Sequence, residues 1–148
     1  MRISCVGGGP GALYFAISMK VRDPGHDIVV LERDPRGSTY GWGVVYWDDL
    51  LDLLYGNDPE SAHAIRDVST LWRDQEVWLN GDDTAHLGGY GYSARRADLL
   101  DVLARRAEDL DVEVQHSHEV TDLSRLADAD LIVAGDGASS RLRQRNAR

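Results

Sequence analysis

The feature that most constrains this sequence is its opening, where an apolar run at residues 3–6 meets Gly7-Gly8-Gly9-Pro10-Gly11-Ala12, and a second apolar run at residues 28–31 ends in Glu32. A continuous apolar run broken by glycines reads as a buried parallel strand entering a tight turn. Between the runs, Leu13, Phe15, Ala16, Met19 and Val21 recur at mostly helical spacing until Pro24 and Gly25 stop the segment. The opening therefore predicts a strand–helix–strand unit, and such units favour a parallel sheet.

The glycines fit the G-x-G-x-x-A pattern. A dinucleotide site needs Gly7 for a sharp turn, Gly9 so that the backbone can approach a pyrophosphate, and a small residue at Ala12 for close helix–strand packing. The helix that follows presents unpaired N–H groups and the positive end of its dipole, which hold a pyrophosphate without a basic side chain. Glu32 stands twenty residues after Ala12, where its carboxylate can accept hydrogen bonds from both adenosine ribose hydroxyls and would repel a 2′-phosphate. The site thus favours FAD or NAD over NADP, and the motif leaves open which of the two binds. A tight turn followed by a strand-end glutamate facing water is the structural alternative.

Residues 34–43 are rich in Gly, Pro, Ser and Tyr and predict a loop, and residues 47–65 predict helix in parts. Residues 76–79 and 84–87 flank the turn-rich Asn80-Gly81-Asp82-Asp83 and predict a small hairpin. The clearest helix covers residues 95–110, with Leu99, Leu100, Val102, Leu103, Ala107 and Leu110 along one side. Residues 112–115 and 131–134 predict two more strands, the second running into Gly135, Asp136 and Gly137.

The net charge of −9 repels nucleic-acid phosphates and anionic lipid surfaces, so neither is an expected partner. Arg141, Arg143, Arg145 and Arg148 form a local exception, expected to be a solvated, frayed tail. The single cysteine, Cys5, allows no internal disulfide; lying in an apolar strand, it reads as a buried, inert thiol in a reducing compartment. The apolar run at the N-terminus is too short for a signal peptide or a membrane span, so a cytoplasmic protein is expected. His116 and His118 could share one face of a strand, but two ligands without a third make no metal site, and no metal is expected.

Two further segments carry a family resemblance. Arg96-Ala97-Asp98-Leu99 resembles the R-x-x-L helix start, and the stretch from Asp136-Gly137 through Ser140 to Arg143 resembles the D-G-x-x-S-x-x-R motif, of flavoprotein aromatic hydroxylases of the p-hydroxybenzoate hydroxylase type. The opening glycines, the Glu32-Arg33 pair and Gly41-Trp42-Gly43-Val44-Val45 are similar to the branch containing salicyloyl-CoA and anthraniloyl-CoA hydroxylases. The resemblance runs through practically the whole chain. It implies a Rossmann-like α/β FAD-binding domain over residues 1–148, with a central parallel sheet and a small β-hairpin insertion. It implies that Arg96 contacts the FAD phosphates, that Asp136 and Gly137 lie beside the cofactor, and that the Gly41–Val45 loop lies near the flavin. It further implies NADH or NADPH as reductant and a small aromatic substrate, potentially a CoA thioester.

The family has Ala-Gly where this sequence has Gly11-Ala12, a swap expected to loosen the helix start and tighten packing at position 12. The family chain is also much longer, and its substrate domain is expected to be absent here. A split enzyme with a complementary chain, a free-standing NAD-binding module, and a non-catalytic relative that associates with itself through an uncovered sheet edge are the readings that follow.

Overall fold

The computed structural model describes residues 1–79 and 83–146. β1 (Arg2–Val6), α1 (Pro10–Arg22) and β2 (Asp27–Leu31) form the expected unit, and β6 (Glu113–Gln115) and β7 (Leu131–Ala134) complete a parallel sheet of order β6-β2-β1-β7. The register sets Ile3 beside Ile28 and Cys5 beside Val30, so these four side chains share a face. They form one cluster with Ala12, Leu13, Ala16 and Ile17 of α1 and with Leu103, Ala104 and Ala107 of α4 (Arg96–Asp109). Each fully buried aliphatic side chain in that layer contributes about 1.5–3 kcal/mol, which makes the β1–α1–β2 unit a rigid support for the turn at its C-terminal edge. Cys5 is fully buried, and burial pushes its thiol up to about 11.

α2 (Asp48–Asn57) and α3 (Pro59–Asp67) fill the segment expected to be partly helical, and Asp58 joins them to α4. Its buried carboxylate accepts from the backbone N–H and hydroxyl of Ser61 and from Arg106, at 2.9 and 2.6 Å from Nε and Nη2. Burial alone would raise the Asp58 carboxyl, but the bonds from Arg106 and Ser61 outweigh it and hold the group below the usual carboxylate range.

The hairpin is larger than the sequence suggested. β4 (Ser69–Leu79) and β5 (Asp83–Arg95) are antiparallel, and β3 (Gly43–Tyr46) pairs with β5 to give a second sheet of order β3-β5-β4. The turn residues Asn80, Gly81 and Asp82 lie outside the described residues. β3 was not expected, because residues 43–46 become a strand only through partners about fifty positions further on, Arg95 opposite Gly43 and Tyr92 opposite Tyr46.

The C-terminal arginines correct a second expectation. Arg141 begins a short helix, α5 (Arg141–Asn146), and is bonded to Glu119 at 3.0 Å; Arg143 donates to the Ala138 carbonyl and Arg145 to that of Thr121. Ser140 and Leu142 are buried. The segment is tied back onto the body, and Arg148 lies outside the described residues. Among the described residues, no helix is long and apolar enough to cross a membrane, and no group of three His, Cys, Asp or Glu is placed to hold a metal ion.

Candidate dinucleotide-binding cleft

The turn after β1 is fixed by sterics. Gly7 has φ +100°, and a Cβ there would lie 2.5 Å from the Gly135 carbonyl oxygen, so no larger residue fits. The ladders run into it: the Gly7 N–H donates to the Leu31 carbonyl and the Gly135 N–H to the Val6 carbonyl, both at 2.8 Å. Gly9 precedes α1, and a Cβ on it would meet only the Gly135 oxygen, at 3.9 Å. The approach to its backbone is therefore open to a ligand. Pro10 is the first residue of the helix and the Leu13 N–H donates to the Gly9 carbonyl at 3.1 Å, closing the first turn. No acidic side chain sits in that turn to neutralise the dipole.

Packing at position 12 is as tight as the Gly11-Ala12 order suggested. Ala12 is buried, and a Cβ on Gly135 would come within 2.7 Å of the Ala12 Cβ, whereas one on Gly11 would meet nothing within 4 Å. Pro10, Gly11 and Ala12 build the helix start and its seat on the sheet; they do not line the cleft.

Glu32 does more than face water. One carboxylate oxygen accepts from the Gly8 N–H at 2.5 Å and the other from the Asp34 N–H at 2.8 Å. A carboxylate offers about four acceptor positions, so two bonds lock the side chain and leave capacity for a diol. Gly8 was not singled out by the motif, yet a Cβ there would fall 2.9 Å from the Glu32 Cβ, so glycine is required for this carboxylate to lie against the turn.

An open cleft of about 390 Å³ runs between the ends of β1, β2 and β7. It brings together Gly7, Gly9, Glu32, Arg33, Arg96, Asp136 and Gly137 from four separate stretches of sequence. Arg96 is positioned through its backbone N–H, which donates to the Trp42 carbonyl at 3.2 Å, while its Nε is buried without a partner. Asp136 accepts from the Leu142 N–H at 3.3 Å through one oxygen; the other is buried and unpartnered. Burial raises the Asp136 carboxyl, but hydrogen bonds from Ser140 and the Leu142 N–H prevail and keep it below the usual carboxylate range. Gly137 has φ +83°. In a chain of net charge −9 the cleft is locally balanced, because Arg33, Arg96, Arg141 and Arg145 line it with Glu32, Asp34, Glu119 and Asp136.

Sequence reasoning missed Gly8, Gly135, Tyr40 and residues 119–121. The unbroken glycine triplet was a signal for the first; for residues 119–121 nothing local marks a segment held at the cleft by the His118 N–H bond to the Glu32 carbonyl and by Arg141 and Arg145. His118, one of the H-x-H pair, also borders the cleft, whereas both ring nitrogens of His116 are buried without hydrogen-bond partners.

A parallel sheet, a glycine turn running into a helix, and a strand-end glutamate bound to that turn define a Rossmann-like dinucleotide fold. Comparison with known proteins narrows this. The chain is 39% identical over 144 residues to a salicyloyl-CoA 5-hydroxylase of a Streptomyces species, covering 97% of this chain and 28% of that protein. It is 33% identical over 148 residues to the 3-hydroxy-4-methyl-anthranilyl-(aryl-carrier protein) 5-monooxygenase of Streptosporangium sibiricum, covering 99% and 41%. An FAD-dependent monooxygenase of Aspergillus versicolor is 27% identical, covering 92% and 36%. Among solved structures, the tetrameric form of 2-methyl-3-hydroxypyridine-5-carboxylic acid oxygenase superposes with a TM-score of 0.76 at 25% identity, over 97% of this chain and 41% of that one. No protein-family model matches the sequence. The chain is a homologue of part of the FAD-dependent aromatic monooxygenases, and it spans less than half the length of these relatives.

Proposed function

We propose that this chain is the FAD-binding portion of a flavin-dependent monooxygenase that hydroxylates an aromatic substrate. The observation that carries the reading is the convergence, in one cleft, of the glycine turn, Glu32, Arg96 and Asp136, with Arg96 Nε and an Asp136 oxygen buried and unpartnered. Buried polar atoms without partners are uncommon in folded proteins, and a ligand in the cleft would supply partners for these two. The donors and acceptors match FAD. The Gly7–Gly9 turn that leads into α1 receives the pyrophosphate, Arg96 and Arg33 supply positive charge toward its phosphates, Glu32 accepts from the ribose hydroxyls, and ionised Asp136 with Gly137 accepts from hydroxyls further along the cofactor. Pro10, Gly11 and Ala12 hold the helix in register for this contact. When bound, FAD supplies redox chemistry that, with NADH or NADPH and oxygen, inserts one oxygen atom into an aromatic ring.

The relatives named for a CoA thioester and for a carrier-protein thioester support an aromatic acyl thioester as the substrate class. The buried free thiol of Cys5 supports a reducing, cytoplasmic setting.

Isothermal titration with FAD, with NADH in parallel, tests the reading on wild type and on Arg96→Ala and Asp136→Asn. Saturable FAD binding weakened by both substitutions is the expected result. Binding of NADH in preference to FAD would transfer the cleft to a nicotinamide dinucleotide, and binding of neither would leave a non-catalytic relative of the fold.

A further inference from the structure

Among the described residues, Trp42 is the most exposed of the large apolar side chains, at 97%, and it stands between two glycines. Neither Gly41, at φ +94°, nor Gly43 has a side chain to lie over the indole. The backbone beneath it is nevertheless held on both sides. The Trp42 carbonyl accepts from the Arg96 N–H at 3.2 Å, and the next residue, Gly43, opens β3 opposite Arg95. A Cβ on Gly41 would come 3.8 Å from Arg96 Cδ, so the Arg96 side chain, which lines the cleft, runs alongside this turn. The indole is thus mounted rigidly at the rim of the cleft, and its large apolar ring has no partner.

The loop that carries it follows the cleft. It leaves β2 just after Glu32, the residue assigned to the adenosine ribose. Tyr40 then lines the cleft, its hydroxyl donating to Asp34 Oδ1 at 3.4 Å, and Trp42 ends the loop beside Arg96, the residue assigned to the phosphates. The order along the loop is therefore the order along a bound dinucleotide, ribose first and phosphates next. The free indole comes at the phosphate end, from which the second ring system extends.

We propose that Trp42 stacks on the isoalloxazine ring of the flavin and shields one face of that ring from water. This rests on reading the cleft as an FAD site. Isoalloxazine is a flat, electron-poor tricycle and indole an electron-rich one, so offset stacking adds to the gain from burying their apolar faces. Adenine, the other flat group of the ligand, belongs at the Glu32 end.

The test compares wild type with Trp42→Leu and takes Trp78→Leu as the control, because Trp78 is 65% exposed on β4 and no part of the cleft wall. Each substitution replaces an exposed side chain, so both variants should unfold at the wild-type urea midpoint. Two ligands are titrated: FAD, and ADP, which has the adenosine and both phosphates but no flavin ring. Trp42→Leu should weaken FAD binding by about 3- to 10-fold and leave ADP binding unchanged. An indole in contact with isoalloxazine quenches its emission by reversible electron transfer in the excited state. Emission of the bound flavin should therefore rise severalfold in Trp42→Leu and stay quenched in Trp78→Leu. Unchanged FAD affinity and emission in Trp42→Leu would overturn the proposal. Equal weakening of FAD and ADP would overturn it as well and place the indole on adenine. A wild type that binds ADP as tightly as FAD has no ring contact to lose, which also refutes it. Failure of the FAD reading has a different signature: wild type would bind neither ligand, and the stacking would fall with it.

Discussion

Substituting the turn glycines by alanine separates steric from ligand-binding roles. At Gly7 the backbone has φ +100°, a region that costs an L-residue about 1–2 kcal/mol. The new Cβ would also lie 2.5 to 2.9 Å from backbone atoms of Gly135 and Asp136, which no rotamer change relieves. Overpacking of that kind adds roughly 1–3 kcal/mol, so Gly7→Ala should lose about 2–5 kcal/mol, a large share of a small domain's stability. At Gly9 the nearest atom to a new Cβ is 3.9 Å away. Gly9→Ala should therefore change stability by no more than about 0.5 kcal/mol while weakening FAD binding by filling the space a pyrophosphate needs. At Gly11 the Cβ would meet nothing within 4 Å, in the second position of a helix, so Gly11→Ala should stabilise by about 0.4–1 kcal/mol. Urea unfolding followed by far-UV circular dichroism gives the stabilities and titration calorimetry the affinities. The reasoning fails if Gly7→Ala costs under about 1 kcal/mol, or if Gly9→Ala destabilises as much as Gly7→Ala.

Three further outcomes are expected. Asp58→Ala leaves Arg106 and the Ser61 N–H without their buried acceptor and should cost about 3–5 kcal/mol in urea unfolding. Because the Asp58 carboxyl is held below its unfolded value, its stabilisation is present above the ordinary carboxylate range and is lost as pH falls through the depressed folded value; Asp58→Asn should flatten that acid limb of the stability curve. Cys5 should react with a thiol reagent at pH 8 only after unfolding, since it is fully buried with its thiol raised to about 11; rapid labelling of native protein would contradict the packing of β1. Arg96→Ala should lower FAD affinity by about 10- to 100-fold, the loss of a charge-assisted contact, with little change in unfolding, because its Nε has no partner within the chain.

What could be read from the sequence was whatever is encoded locally. The runs at residues 3–6, 28–31 and 131–134 are largely apolar, as strands of a parallel sheet are, and each appears as a strand, the last at the sheet edge with Leu131 and Ala134 exposed. The helix from Arg96 to Asp109 was legible from its spacing. Of the antiparallel sheet only the hairpin around residues 76–79 and 84–87 was legible; its extension was not, because Asp74, at φ +61°, breaks the two-residue alternation of β4, and Gly88, Gly89 and Gly91 interrupt that of β5. At the site, the motif located Gly7, Gly9 and Glu32, and the resemblance added Arg96 and Asp136. Neither could show that Glu32 holds the Gly8 N–H, nor that Arg141 and Arg145 pin residues 119–121 beside the cleft, since those contacts join positions more than twenty residues apart.

The measurement that tests the account most directly is a titration of isotope-labelled protein with FAD, followed by amide chemical shifts. The account predicts saturable shifts concentrated at the Gly7, Gly8 and Gly9 amides, Glu32, Arg96 and the Asp136–Gly137 turn, with NADH producing weaker changes at the same sites. An FAD titration that leaves those amides unmoved, or that moves only residues remote from the cleft, would contradict it.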